Sequence, residues 1–124
     1  MPFHMLVVDD EEALELLFNA FFDKDINEGK ITISFTPSAQ KCLDFIEEVG
    51  RVDLVLTDIN MPGMNGYALL EKLKVSYADM PVYIISAYGT EDYIQKAKEL
   101  GADEFFVKPF DFSLIKEKIS QLYS

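Results

Sequence analysis

The chain has one cysteine, one arginine and no apolar run near the ~18 residues that a membrane-spanning helix needs. With Cys42 alone, no intramolecular disulfide can form. Cys42 lies on the apolar side of a helical pattern and reads as a small buried hydrophobe. The scarcity of arginine belongs to a wider imbalance: 22 acidic residues face 11 basic ones, for a formal net charge of -11. Nucleic-acid backbones demand clustered Lys and Arg, so this charge argues against direct nucleic-acid binding. It still suits cation binding and docking on basic protein partners. No leader is expected ahead of the first strand, and no membrane association, so the expected setting is reducing and cytoplasmic.

What is present is a core. Hydrophobic residues make up 49% of 124, enough for one domain over residues 1–124. The most informative stretch is Leu54-Val55-Leu56-Thr57-Asp58, followed by Ile59-Asn60-Met61-Pro62-Gly63-Met64-Asn65-Gly66. A continuous apolar run of strand length ends in one carboxylate, and a turn-rich loop follows. Continuous runs mark strands buried on both faces, as in parallel sheets. In open α/β sheets, ligands collect just beyond the carboxyl ends of strands. Pro62, Gly63 and Gly66 serve the turn, and Met61 and Met64 read as packing.

Alternating strand and helix patterns fill the rest of the chain. Phe3 to Val8 predicts a first strand, followed by a helix to about Phe22 with Ala13, Leu14, Leu17, Phe18 and Phe21 at helical spacing. Asp10 is expected to cap it, with Glu11, Glu12 and Glu15 at the positive end of the dipole. Asp23 to Lys30 reads as a surface loop with no functional reading. Ile31 to Phe35 alternates strictly and is placed at a sheet edge. Ser38 caps a second helix carrying Ala39, Cys42, Leu43, Ile46 and Val49, which Gly50 stops. A third helix runs from about Gly66 to Ser76. Val82 to Ser86 forms the fourth strand. Thr90 caps a fourth helix with Ile94, Ala97 and Leu100 inward, ended by Gly101. Glu104 to Lys108 is the fifth strand. Asp111 caps the last helix, which buries Phe112, Ile115, Ile119 and Leu122, with Phe110 and Ile115 as a hydrophobic staple.

Five βα units in succession imply a parallel five-stranded sheet with helices on both faces, a three-layer sandwich. With the alternating second strand at an edge, the flavodoxin-like (βα)5 order 2-1-3-4-5 fits, and the switch point lies between the first and third strands. The strand ends then gather on one edge: Asp9 and Asp10, Asp58, the Ser86 hydroxyl and the Lys108 ammonium. Carboxylates this close raise one another's pKa unless a cation is supplied. Oxygen-only ligands at a partly open site suit Mg²⁺. A hydroxyl and an ammonium opposite the metal can hold phosphoryl oxygens, and phosphoryl transfer needs mostly positioning and charge neutralisation.

At these residues the chain resembles the receiver domains of two-component response regulators, the family of the chemotaxis regulators. The resemblance spans essentially the whole chain. It rests on the acidic pair Asp9-Asp10, on Asp58 with Met61-Pro62-Gly63-Met64-Asn65-Gly66, on Ser86-Ala87 and on Lys108-Pro109-Phe110. It implies that Asp58 accepts a phosphoryl group from a phosphohistidine on a histidine kinase or histidine phosphotransfer protein. Asp10, Asp58 and the Asn60 backbone carbonyl would ligate Mg²⁺, with Asp9 acting through a metal-bound water. Lys108 and Ser86 would contact the phosphoryl group, and Phe105 would turn inward as the aromatic switch. Phe105 lacks the hydroxyl of the Tyr often found there. Asn60 and Tyr88 would tune phosphoryl lifetime, and the Lys108–Pro109 bond is expected to be cis. The readout face would be the fourth helix, fifth strand and fifth helix, acting through a population shift.

The resemblance implies a signalling phosphoacceptor that assists its own phosphorylation and dephosphorylation, rather than an enzyme with turnover. An Asp-nucleophile phosphohydrolase fits less well, because Asp9-Asp10-Glu11 is not its Asp-x-Asp pattern. A flavin carrier fits less well still, because Asp9 to Glu12 would repel the flavin phosphate. A pseudo-receiver that only scaffolds is disfavoured by the complete residue set. His4 is followed by Met5 and not by an acid, so it reads as structural and not as a phosphodonor. A chain ending just after its fifth helix is expected to lack an output domain. The expected partners are therefore a kinase or phosphotransfer protein and a downstream target or missing output domain. The expected state is a monomer or a weak phosphorylation-dependent dimer.

Overall fold

Alternate side chains on a strand point to opposite faces, so strands buried on both faces feed two separate apolar layers. The computed structural model, which describes residues 2–61 and 63–123, shows this division directly. In chain order the elements are β1 (Phe3–Val8), α1 (Glu12–Phe21), α2 (Asp23–Asn27), β2 (Ile31–Thr36), α3 (Ala39–Val49) and β3 (Leu54–Asp58). Then come α4 (Gly66–Ser76), β4 (Val82–Ser86), α5 (Glu91–Glu99), β5 (Glu104–Val107) and α6 (Phe112–Ser120). The sheet is parallel with order β2-β1-β3-β4-β5, the flavodoxin-like order that the sequence implies.

On one face Leu6, Val8, Val55, Val82 and Ile84 pack with Cys42 and Ile46 of α3, Leu69, Leu70 and Leu73 of α4, and Ala97 of α5. On the other, Met5, Val7, Leu54, Leu56, Tyr83 and Ile85 pack with Leu14 and Phe18 of α1 and with Phe112, Ile115 and Ile119 of α6. Each fully buried aliphatic or aromatic side chain here contributes about 1.5–3 kcal/mol. Phe105 falls in the first layer, near α5, and Phe106 in the second. Both layers leave the carboxyl ends of the strands free at one edge of the sheet.

Several local expectations are corrected. Residues 23–30 are not all loop: Asp23–Asn27 is a short helix that continues from α1 after a bend at Phe22. Its backbone is paired, with Ile26 N donating to the Phe22 carbonyl at 2.8 Å, and Tyr123 Oη donates to Asp25. Ile26 is its only apolar residue, so no periodicity announces it. Glu11, not Asp10, is the N-cap of α1, and its side chain makes no cap bond. Thr90 occupies the N-cap of α5 without a side-chain bond. Ser38 and Asp111 do cap, accepting from Lys41 N and from Ser113 N and Leu114 N. Leu17, Phe21, Val49 and Ile94 lie on the solvent side of their helices' buried stripes, Leu122 is exposed beyond the end of α6, and Ala13 is exposed as well. β2 extends one residue further, to Thr36, and β5 stops at Val107, one residue before Lys108. Pro62, expected in the turn after Asp58, lies outside the described residues.

Candidate functional site

Among the described residues, the buried polar side chains are Thr36, Thr57, Asp58 and Ser86, and each lies within the last two positions of a strand. Polar burial is costly unless partnered, so its confinement to one sheet edge marks a site. Asp58 ends β3, between β1 and β4, and pairs in register with Ile85. Ser86 ends β4 and pairs with Val107, which brings Lys108 to the same edge. Asp9 follows β1, with its backbone N–H held by the Thr36 carbonyl at 3.1 Å.

The structure brings Asp9, Asp10, Asp58, Ser86 and Lys108 to this edge. Lys108 Nζ donates to Asp9 Oδ2 at 2.7 Å, to Glu11 Oε1 at 3.1 Å and to Asp58 Oδ2 at 3.2 Å. The Asp9, Asp58 and Lys108 side chains are 1%, 10% and 13% exposed. Burial pushes the Asp9 carboxyl above the ordinary aspartate range, against the opposing pull of Lys108 and the Glu11 N–H. Burial also disfavours the Lys108 ammonium, but its bond to Asp9 and the charges of Asp9 and Asp58 outweigh this and hold its pKa above the usual lysine value. Glu11 is the contact that sequence reasoning missed. Its place in the sequence suggests only a partner for the helix dipole, and its reach to a residue 97 positions away is visible only in three dimensions.

Asp9 and Asp58 are held differently. Asp9 accepts two close bonds, from Lys108 at 2.7 Å and from Glu11 N at 2.9 Å. Asp58 accepts two long ones, from Lys108 at 3.2 Å and from Asn60 N at 3.3 Å. Bonds near the upper end of the range are weak, so the Asp58 oxygens are loosely engaged. Ser86 Oγ accepts from Tyr88 N at 3.0 Å, which leaves its hydroxyl proton free to donate. Tyr88 is half exposed, Asn60 is exposed and Phe105 is half buried. The Lys108–Pro109 peptide bond is cis.

Gly66 approaches the end of β3 closely. Gly66 N donates to the Ile59 carbonyl at 2.8 Å, and a Cβ on Gly66 would sit 2.1 Å from the Asp58 carbonyl oxygen. Only glycine lets α4 start this near the end of β3. Asn65 caps α4 by accepting from Ala68 N at 2.9 Å.

The donor set passes a test for a hard cation. Asp9, Asp10 and Asp58 each offer a carboxylate oxygen, and these atoms lie within 4.8 Å of one another. The ligands are oxygen only and Asp10 is exposed, so the cluster is open on one side, as suits Mg²⁺. No helix among the described residues is long and apolar enough to cross a membrane.

Comparison with known proteins agrees with this geometry. The model of the response regulator receiver domain family matches residues 5–120. The chain is 39% identical over 117 residues to sporulation initiation phosphotransferase F of Bacillus subtilis, covering 94% of this chain and 90% of that protein. It is 34% identical over 128 residues to chemotaxis protein CheY of Treponema pallidum, covering 98% and 83%. Against other relatives it spans less: 66% of the Arabidopsis thaliana response regulator ARR6 and 50% of the Escherichia coli transcriptional regulatory protein CusR. The solved structure of Vibrio cholerae CheY4 superposes with a TM-score of 0.85 over 98% of this chain and 99% of that one, at 18% identity, a likeness of fold.

Proposed function

The chain belongs to the response regulator receiver domain family, and from that premise we propose that Asp58 is its phosphoryl acceptor. The observation that carries this reading is the unequal grip on the two buried aspartates. Lys108 binds Asp9 at 2.7 Å and Asp58 at 3.2 Å, so the Asp58 carboxylate is the one free to act as a nucleophile. An Asp58 oxygen attacks phosphorus, the phosphorus–nitrogen bond to a partner's phosphohistidine breaks, and the imidazole nitrogen keeps the bonding pair. The donor is a histidine kinase or histidine phosphotransfer protein in a cytoplasmic setting.

Asp10, Asp58 and the Asn60 backbone carbonyl would hold Mg²⁺, with Asp9 acting through water. The bound ion supplies charge neutralisation to the carboxylate cluster and to the phosphoryl oxygens. Lys108 stays within reach of both Asp9 and Asp58 and takes a phosphoryl oxygen when one arrives. Ser86 gives its free proton to another. Its rotation removes the acceptor of the Tyr88 N–H, so the loop after β4 must readjust. Phe105 turns inward in the same transition, and the readout face is α5, β5 and α6. That face contacts a downstream target or an output domain, either as a monomer or as a weak dimer formed on phosphorylation. Asn60 and Tyr88 govern the access of water and hence the phosphoryl lifetime. On this reading the chain is a signalling phosphoacceptor that assists its own phosphorylation and dephosphorylation.

The test is intact mass after brief incubation with Mg²⁺ and acetyl phosphate. One added phosphoryl group is expected, dependent on metal and absent from Asp58→Asn. No addition, under conditions that label a known receiver domain, would overturn the assignment.

A further inference from the structure

Three tyrosines form a ladder beside the site. The rings of Tyr88 and Tyr93 stack with centroids 5.4 Å apart and planes 19° from parallel. Those of Tyr93 and Tyr67 follow at 6.5 Å and 18°. Lys96 Nζ lies over the Tyr67 ring at 4.6 Å, and Tyr67 Oη donates to the Tyr93 backbone carbonyl at 3.1 Å. The inner end of the ladder is therefore fixed to α4 and α5. The outer end, Tyr88, sits in the loop after β4 and is 51% exposed. Its amide is tied to Ser86 Oγ, while its ring rests on Tyr93. Tyr67 and Tyr93 also line an open groove of about 380 Å³ that reaches Asn60, whose amide is bonded to Asp58.

We propose that Tyr93 is a positioning residue for the phosphoryl chemistry at Asp58: by stacking on Tyr88 it holds that ring out over α5, and so sets how freely water reaches the phosphoryl group. The inference rests on the reading of Asp58 as acceptor and adds the residue that controls one of its gates. A ring released from the stack is free to swing toward the strand ends and cover them. An aromatic pair of this kind shifts such an equilibrium by about twofold to tenfold. The ring alone carries the effect, because the Tyr67 bond goes to the Tyr93 backbone and survives truncation of the side chain.

Two measurements test this on the whole chain. The first needs no phosphorylation: NMR of tyrosine ring protons in the parent and in Tyr93→Ala. The Tyr88 ring resonances are expected to move toward free-tyrosine positions when the stacked ring is lost. The second follows loss of the phosphoryl group by intact mass after acetyl phosphate is removed. Tyr93→Ala is expected to slow hydrolysis about threefold, Tyr93→Phe to restore the parent rate, and Tyr93→Ala to have no effect in a Tyr88→Ala background. Unmoved Tyr88 resonances, faster hydrolysis, or an equal change in both backgrounds would each overturn the proposal. A parent chain that takes no phosphoryl group overturns the acceptor reading and the lifetime role with it, while the NMR arm still reads the stack on its own.

Discussion

Replacing Gly66 with alanine tests the packing that seats Asp58. The added Cβ meets the Asp58 carbonyl oxygen at 2.1 Å, the Ile59 Cα at 2.7 Å and the Asp58 carbonyl carbon at 2.9 Å. Comfortable carbon contacts lie at about 3.5–4.0 Å, so α4 must retreat by roughly 1 Å. The atoms in the way are backbone at the end of β3, a strand fixed between β1 and β4, and no rotamer change relieves them. Overpacking of this kind costs about 1–3 kcal/mol. The retreat also stretches the 2.8 Å bond from Gly66 N to the Ile59 carbonyl, worth about 1 kcal/mol. Alanine's better helix propensity returns at most ~1 kcal/mol. The expected net loss is about 1–3 kcal/mol, a fall in Tm of roughly 5–10 °C for a chain of this size. Urea denaturation followed by circular dichroism should show a lower midpoint with an unchanged slope. A midpoint equal to or above the parent's would refute the claim that this glycine is required by close approach. Gly29→Ala serves as the contrast: nothing lies within 4 Å there, so only the strain of φ +74° is felt, at about 1–2 kcal/mol.

The remaining predictions concern charge, caps and the thiol. Lys108→Met in metal-free buffer strands Asp9 and Asp58 without their counterion and should cost about 3 kcal/mol at neutral pH. The deficit should narrow as acid protonates the carboxylates, and a gap that does not depend on pH would refute the pairing. The folded chain raises the Lys108 pKa, so the stabilisation it brings is complete below 10.5, the unfolded value, and fades as pH rises toward the folded one. Denaturation curves of the parent should show that alkaline loss, and Lys108→Met should lack this component. Asp111→Ala, which removes two cap bonds, should lower stability by about 1 kcal/mol. Thr90→Ala removes none and should stay within about 0.5 kcal/mol by the same assay. Cys42 is fully buried and its thiol is pushed up to about 12. Modification by a thiol reagent at neutral pH should therefore track unfolding in urea, and rapid labelling of the native chain would contradict its burial.

The strands and the order of the sheet were legible because parallel strands buried on both faces leave continuous apolar runs, and Leu54 to Leu56 and Val82 to Ile85 are such runs, short and bounded by turn residues. The edge position of β2 was legible from the single alternating run, Ile31 to Phe35. The site was legible because each of its polar residues interrupts or follows such a run at the same end. The losses have local causes. α2 carries one apolar residue in five and is held by backbone bonds and by Tyr123 from the far end of the chain. The α1 stripe looked wider than it is. Leu14 and Phe18 meet the sheet side of the core, whereas Phe21 lies across the outer Phe112 ring at 4.8 Å and stays 41% exposed. The tyrosine ladder joins residues 67, 88 and 93, whose approach depends on how α4 and α5 dock on one face of the sheet. No spacing along the chain encodes that approach.

The fold keeps stability and chemistry in different places. The two apolar layers hold the sheet and the helices without a charged group among their buried members. The acidic cluster sits outside both, with three carboxylate oxygens within 4.8 Å and one lysine to offset them. Such a cluster is electrostatically under-neutralised by construction. A bound cation would relieve that deficit, so binding free energy appears where the fold has left repulsion. Lys108 cannot remove the deficit alone, because its closest bond is spent on Asp9. Asp58 is left as the weakly held member, at the end of the central strand, with Gly66 packed against its carbonyl and Ser86 on the next strand. Asp58 therefore borders two elements at once, the start of α4 and the end of β4 with the loop after it. Those same two elements carry Tyr67 and Tyr88, and Tyr93 of α5 lies stacked between them.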